Sequence, residues 1–289
     1  MLKCKDLLRG FDYECISGST DTMISEVVND SRKITKDCLF ICIEGANFDG
    51  HDAAAQAVAD GAAALVVSKE VELPKDKTVT VIKVADTRYA MAFISANYFG
   101  NPADRMKVIG VTGTKGKTTT TYLVKYILEN AGYKVGLVGT IETIIGDKVI
   151  PAEHTTPESL DLQQYFKEMK DIGCDAVVIE ASSQGFKMHR TQGFTFDYGI
   201  FTNIEPDHIG PNEHADFEEY LDCKAMLFKQ CRVGIVNRDD RHWERIVKNH
   251  TCELETYGFD AQADLCASDL KLVTGAGFLG IDFKVSGLL

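Results

Sequence analysis

The run TGTKGKTTTT at residues 112–121 is the segment best equipped for chemistry. Gly113 and Gly116 let backbone N–H groups approach a polyphosphate closely. A helix starting at Lys117 adds the partial positive charge of its N-terminus. The nucleotide cradle then runs from Gly113 through Thr114, Lys115 and Gly116 to Lys117, Thr118 and Thr119. Lys117 would then reach the outer phosphates, and the Thr118 hydroxyl would ligate Mg²⁺. The spacing departs from the usual Gly-x-x-x-x-Gly-Lys-Ser/Thr pattern, because Val111 stands where a glycine is expected. The plainer reading, an ordinary Gly-rich turn, fits the strand-to-helix setting and the Gly-Lys-Thr-Thr run less well.

A second group is positional. Glu180, Ser182 and Ser183 close one apolar strand; Asn203, Asp207 and His208 follow the next; Asn237, Asp239 and Asp240 follow another. In an open parallel sheet, ligands bind beyond the carboxyl ends of the strands, so these groups should surround the phosphate loop. Glu180 is either a metal carboxylate or a helix cap or surface ion-pair partner, and His208 either a functional or a structural histidine. In TTPE (155–158), Thr156 either caps a helix beginning at Pro157, or that helix N-terminus binds a phosphate.

These groups need a scaffold, and the hydrophobic pattern supplies one. Apolar strands are predicted at 38–45, 63–70 and 78–86, with helices at 51–61 and 87–99, and Gly100-Asn101-Pro102 marks a boundary. Beyond it, strands at 106–113, 134–140, 175–182, 197–204 and 232–240 alternate with helices at 117–131, 157–172 and 217–231. Leu123, Ile127 and Leu128 give the first of those helices its apolar positions. The last thirty residues read as a β-hairpin. Val- and Ile-rich strands separated by helices predict an α/β fold with a mostly parallel sheet covered on both faces. The domains expected are 1–102 and 103–289.

Composition narrows the function classes. The chain has 289 residues, 45% hydrophobic and 26% charged, which excludes a disordered, collagenous or coiled-coil protein. A net charge of −12 disfavours a general role on nucleic acids or anionic membrane surfaces, while leaving room for an anionic small substrate in a locally positive pocket. No apolar run is long enough to span a membrane, and the N-terminus has no signal-peptide core. Nine cysteines without a Cys-x-x-Cys pair point to a reducing cytoplasm and away from zinc. Cys38 and Cys42 read as core packing.

Several ordered segments together resemble the Mur ligase family: NDSRKITKDCLFICIEGANFDGHD (29–52), GVTGTKGKTTT (110–120), HTTPES (154–159), EASSQGFKMHR (180–190), TNIEPDHIG (202–210) and YLDCKAMLF (220–228). The likeness covers the whole chain and is strongest to the branch that adds a diamino acid. It implies a small N-terminal α/β uridine-binding domain followed by a P-loop-type ATPase domain. Asn29, Ser31, Ala46, Asn47 and Phe48 would hold the uridine diphosphate end, and His154, Thr155, Thr156, Ser182, Met188 and Arg190 would line the muramoyl-peptide path. Thr118, Glu180 and His208 would hold Mg²⁺, Lys224 would be carbamoylated, and Asn237 and Asp240 would contact the adenosine of ATP. Lys117, Glu180, His208 and Lys224 form the implied catalytic set. Lys115, Gln184 and Pro206 stand where the family usually has asparagine, histidine and arginine.

The implied reaction is ATP-dependent amide formation in peptidoglycan precursor synthesis, in the cytoplasm, by a monomer. UDP-N-acetylmuramoyl-L-Ala-D-Glu and either lysine or meso-diaminopimelate would be joined through an acyl phosphate. The family's third, amino-acid-binding domain is not found in these residues, so a truncated form that turns over poorly alone is expected. The alternatives are another amide ligase of the superfamily (folylpolyglutamate or cyanophycin synthetase type) and a non-catalytic nucleotide-binding module.

Overall fold

The computed structural model describes residues 1–45, 48–74, 78–211, 213–275 and 277–287. They group into two compact units. The first comprises 1–106 with 157–173 and 187–194; the second comprises 107–156, 174–186 and 195–289. The grouping therefore assigns two segments from the second half of the chain to the first unit. A single cut at 102/103 does not do so.

The first unit is built on a five-stranded sheet. Its strands are β1 (Glu14–Ser17), β2 (Val27–Val28), β3 (Leu39–Ile41), β4 (Ala64–Val67) and β5 (Thr80–Lys83), in the order β1-β5-β4-β3-β2. All neighbours run parallel except β1 and β5. The central strands are buried on both faces, which is why LFI, ALVV and TVI read as unbroken apolar runs. One face packs with the helix Thr87–Tyr98 through Ala90, Met91 and Ile94. The other packs with the short helix Ala54–Ala59, and Cys38, Phe40 and Cys42 lie in that layer as free, buried thiols and ring.

The second unit carries a ten-stranded sheet. Its strands are β6 (Lys107–Thr112), β7 (Val135–Val138), β8 (Glu142–Ile145), β9 (Lys148–Pro151), β10 (Ala176–Glu180), β11 (Phe196–Phe201), β12 (Cys231–Asn237), β13 (Glu253–Gly258), β14 (Leu265–Gly275) and β15 (Phe278–Gly287). The order is β9-β8-β7-β10-β6-β11-β12-β13-β14-β15, parallel from β7 through β14 and antiparallel at both ends. The predicted terminal hairpin is present. A second hairpin, β8–β9, was not predicted; it edges the sheet through a tight turn at Gly146.

β6 lies between β10 and β11, and the chain leaves it first to one side and then to the other, which creates a crevice at its carboxyl end. The helix Lys117–Asn130 follows directly and packs on β6, β7 and β10. Its packed side is Thr121, Val124 and Leu128, whereas Leu123 and Ile127 face solvent. The apolar stripe in the sequence is thus wider than the strip the sheet covers. Among the described residues, no helix is long and apolar enough to cross a membrane.

Candidate active site

The turn from β6 into the helix is fastened from beneath. Gly113 has φ 151°, and a Cβ there would sit 2.0 Å from the Thr202 Oγ1 atom. Gly116, at φ 84°, turns the chain into the helix and has nothing within 4 Å of a hypothetical Cβ. One glycine is therefore demanded by space and conformation, the other by conformation alone. The Thr114 amide donates to the Asn203 carbonyl at 2.8 Å, and the Lys115 amide donates to Asn203 Oδ1 at 2.9 Å. Asn203 Nδ2 and Thr202 Oγ1 both donate to the Lys115 carbonyl, at 3.0 and 2.8 Å. Below the loop, Thr114 Oγ1 lies 3.1 Å from the Tyr220 hydroxyl, whose pKa burial pushes up to about 12.

Two lysines converge on the same turn. Lys117 Nζ donates to the carbonyls of Gly113 and Thr114 at 2.9 and 3.2 Å. Lys224, fully buried on the helix Phe217–Ala225, donates to the Gly113 carbonyl at 2.8 Å and lies 4.5 Å from the Tyr220 ring centroid. Burial lowers the pKa of both amines; at Lys224 it holds the amine well below the ordinary lysine value, with the Lys117 charge adding to the effect. At Lys117 the Glu180 carboxylate opposes the shift. Such a cluster of cations is unfavourable without an anion, which is what a phosphate-binding turn would receive.

Glu180 ends β10 with no exposed surface. Its Oε2 accepts from Thr118 Oγ1 and Thr140 Oγ1, both at 3.0 Å, and its Oε1 accepts from the Thr140 amide at 2.9 Å. It is neither a helix cap nor part of a surface ion pair. The Thr118–Glu180 pair fits a magnesium ion. Hard oxygen ligands at about 2.1 Å in an octahedron are separated by about 3.0 Å along an edge.

His208 lies beside Tyr220, with ring centroids 6.1 Å apart, and does not touch the Thr118–Glu180 pair. Its Nδ1 is 3.0 Å from Glu213 Oε1, and its backbone adopts φ 54°. Among the described residues, no three His, Cys, Asp or Glu side chains are assembled to hold a metal. The neighbouring Asp207 pairs with Lys115 at 3.1 Å, and that hydrogen bond holds its carboxyl below the usual range. Asn237 donates to the Thr202 carbonyl at 2.7 Å, and both Asp240 oxygens take backbone amides, from Ile204 and His242, at 2.8 Å. In the structure these two side chains brace the strand-end loops.

Thr156 does not cap a helix. The helix starts at Ser159 with Glu158 in the cap position and no side-chain cap bond. The Thr156 hydroxyl instead donates to the Glu180 carbonyl at 2.8 Å, lies 3.0 Å from Ser182 Oγ and accepts from the Ser182 amide at 3.0 Å. Thr155 joins through Thr140 at 3.1 Å, and His154 is exposed beside them. Thr155, Thr156 and Ser182 thus stand in the second unit with Glu180, whereas Met188 and Arg190 belong to the first.

Within the first unit, a pocket of about 630 Å³ is lined by residues that include Asn29, Ser31, Phe48 and Arg88. Ala46 and Asn47 lie outside the described residues. Near this pocket, Asp49, His51 and Ser68 are spaced like a catalytic relay, with Asp49 Oδ1 2.6 Å from His51 Nδ1 and Ser68 Oγ 3.2 Å from Nε2. The Ser68 amide already donates to Nε2 at 3.0 Å, so the ring nitrogen a base would need is occupied and the trio pins the loop. Sequence reasoning missed Thr140, Tyr220, Arg88 and the bridging role of Glu158. Thr140 was detectable, because it too follows an apolar strand; the other three carry no local signal.

Comparison with known proteins identifies the scaffold. The Mur ligase middle domain matches residues 111–283, and the Mur ligase family catalytic domain matches 23–99. The chain belongs to the Mur ligase family. This Mur ligase chain is 40% identical, over 287 residues, to the UDP-N-acetylmuramoyl-L-alanyl-D-glutamate–2,6-diaminopimelate ligase of Clostridium perfringens. The alignment covers 98% of the chain and 58% of that relative, so the chain spans little more than half of its length. A solved structure of a ligase of the same name superimposes with a TM-score of 0.83 at 23% identity, covering 99% of this chain and 57% of that one. MurF ligase from Thermotoga maritima in complex with ADP gives a TM-score of 0.57 at 20% identity, covering 89% of this chain and 55% of that one. These two likenesses show that the Mur ligase fold is shared.

Proposed function

We propose that this chain carries the nucleotide-binding and nucleotide-sugar-binding parts of an ATP-dependent amide ligase that adds a diamino acid to UDP-N-acetylmuramoyl-L-Ala-D-Glu. The diamino acid is meso-diaminopimelate rather than lysine, a choice supported by the name of the relative from Clostridium perfringens. The observation that carries the reading is the Thr118–Glu180 pair, 3.0 Å apart beside a glycine turn on which two lysines converge.

In this reading Thr118 and Glu180 hold Mg²⁺, with His208 as a further candidate donor. When bound, the ion offsets charge on the phosphates. Lys117 stabilises the transferred phosphoryl group, and the amides of residues 113–119 orient the triphosphate. Asn237 and Asp240 shape the adenosine side. The family likeness assigns His154, Thr155, Thr156, Ser182, Met188 and Arg190 to the muramoyl peptide; of these, Thr156 is buried and acts by bracing Ser182.

Lys224 is well suited to carbamoylation. Its buried amine is held toward the neutral, nucleophilic form that carbon dioxide requires, and the resulting carbamate would place an anion where the unmodified side chain carries none. The first unit takes the uridine diphosphate end through Asn29, Ser31 and Phe48, with Ala46 and Asn47 in the same segment. Assigned by sequence, the nucleotide-sugar part is 1–102 and the ATP part 103–289. The reading locates the protein in the cytoplasm as a monomer.

Isothermal titration of the chain with ATP, with and without Mg²⁺, and with the UDP-muramoyl dipeptide tests the proposal. Binding of both, with ATP affinity dependent on the ion, is the expected result. No binding of the UDP-muramoyl dipeptide would favour a different amide ligase of the superfamily, and ion-independent ATP binding would favour a non-catalytic module.

A further inference from the structure

The pocket in the first unit contains an arrangement that neither the motifs nor the family likeness assigned. Arg88 lies in the first turn of the helix Thr87–Tyr98, and Glu158 stands in the residue position just before the helix Ser159–Asp171; both line the pocket. The Glu158 carboxylate is shared between two guanidiniums. Its Oε2 accepts from Arg88 Nη1 at 3.0 Å, while its Oε1 accepts from Arg190 Nη2 at 2.7 Å and Nε at 3.1 Å. The three side chains are only 20%, 20% and 13% exposed for Arg88, Glu158 and Arg190. Two cations therefore share one carboxylate in this trio, while Asp30, Asp161, Arg32 and Lys33 supply the other charges that line the pocket. Arg88 spends Nη1 on Glu158 and reaches the Glu44 carbonyl only weakly, at 3.4 Å, so part of its planar fork of donors stays uncommitted.

The other cations on this wall are less well prepared. Arg32 is 88% exposed and folded onto Asp30. An anion would have to compete with Asp30 for that guanidinium. Arg88 is held by a second residue in a half-buried place, where a charge-assisted hydrogen bond is worth more than in open solvent. The volume suits a nucleoside diphosphate, and the ring of Phe48, 55% exposed, offers a face for its base.

We infer that Arg88 contacts the diphosphate of the nucleotide-sugar ligand and that Glu158 is the positioning residue that fixes it, using Arg190 as the opposite anchor. This rests on the reading of the pocket as the nucleotide-sugar site. Titration of the full chain with UDP and with uridine separates the two claims. The unaltered protein should bind UDP about tenfold more tightly than uridine, or better. Arg88→Gln should reduce that ratio to below about threefold with uridine affinity unchanged.

Arg88→Lys keeps the cation but not the fork, and should lose at least half of the discrimination on a logarithmic scale; it also serves if the glutamine variant fails to fold. Glu158→Gln should move the ratio in the same direction by a smaller factor. Failure of the unaltered protein to bind UDP overturns the pocket reading and the inference with it. Binding of UDP with an unchanged ratio in both Arg88 variants overturns the inference alone. A changed ratio for Arg88 variants but not for Glu158→Gln removes the positioning role. A purely structural ion pair would lower the melting temperature and leave the ratio unmoved.

Discussion

The phosphate turn of the second unit and the pocket of the first solve the problem of receiving an anion in opposite ways. Around the turn, the polar groups are internally bonded and deeply set: Glu180 accepts three hydrogen bonds with no exposed surface, and Lys224 is buried against the Gly113 carbonyl. The pocket is open, its charged groups are partly exposed, and Phe48, one of its two aromatic residues, faces solvent. Preorganisation in a dry site serves charge that develops during reaction, because nothing needs to rearrange at that moment. An open pocket serves binding, where moderate affinity suffices. Substitutions at the turn should therefore couple stability and chemistry, whereas those at the pocket should separate them.

Glu180→Ala should break the comparison most severely. It removes the proposed ion ligand and leaves the Thr140 amide without an acceptor. Metal-dependent ATP affinity should fall by about a hundredfold or more, and stability by about 1–3 kcal/mol. Titration and urea unfolding measure the two effects. A stable variant with intact ion dependence would show that the carboxylate only braces the loop. Gly113→Ala comes next. Its Cβ would meet Thr202 Oγ1 at 2.0 Å in a backbone conformation that alanine avoids. The expected cost is about 1–3 kcal/mol, with loss of nucleotide binding because the loop must move. Thermal melting and ATP titration check both.

The turn was also the more legible region. Lys117, Thr118 and Glu180 announced themselves because the strand–glycine–helix order fixes where backbone amides point, and because a carboxylate ending an apolar strand has few structural reasons to be there. Parallel strands were readable for the same reason: burial on both faces erases polar alternation. The β8–β9 hairpin was overlooked although Gly146-Asp147 between ETII and KVIP is a two-residue hairpin signal; its strands are only four residues each and do not belong to the strand–helix alternation. For Thr156 the sequence left capping and phosphate binding open, because a threonine before Pro-Glu satisfies a local capping rule, whereas its partners in the fold, Glu180 and Ser182, are more than twenty residues away. Glu158 and Arg88 form a pair seventy residues apart, which no local rule could propose.

Lys224→Met sharpens the contrast through pH. The folded-state pKa of Lys224 is depressed, and the unfolded value is that of an ordinary lysine. Between those values the unfolded chain binds the extra proton, so stability rises with pH across that window. In bicarbonate-free buffer, the methionine variant should lose this upward slope and be at least as stable near neutrality. The Gly113 carbonyl still receives Lys117, so no buried acceptor is orphaned. Urea unfolding over a pH series decides it: parallel curves for the two proteins would mean that the amine is not held neutral. In the first unit, Phe48→Ala should weaken UDP binding by about tenfold, the scale of one lost base–ring contact. The melting temperature should not move, since the ring is already 55% exposed. Any large stability loss would contradict the separation of binding from folding in this unit.

The smallest effect is expected at Lys115, where the two designs meet in a single residue. Its backbone belongs to the preorganised turn: the amide and carbonyl are both held by the Asn203 side chain, at 2.9 and 3.0 Å. Its side chain belongs to the open surface, 72% exposed and paired with Asp207, itself 38% exposed. An exposed pair of this kind contributes less than about 1 kcal/mol and is screened by salt. Lys115→Asn should leave the backbone bonds intact, change stability by less than that amount, and lower ATP affinity by less than about threefold at low salt, with the difference vanishing as ionic strength rises. Titration at two salt concentrations measures it. A loss that persists at high salt would mean that the lysine side chain helps shape the turn, and that the division between a braced backbone and a dispensable side chain fails at this residue.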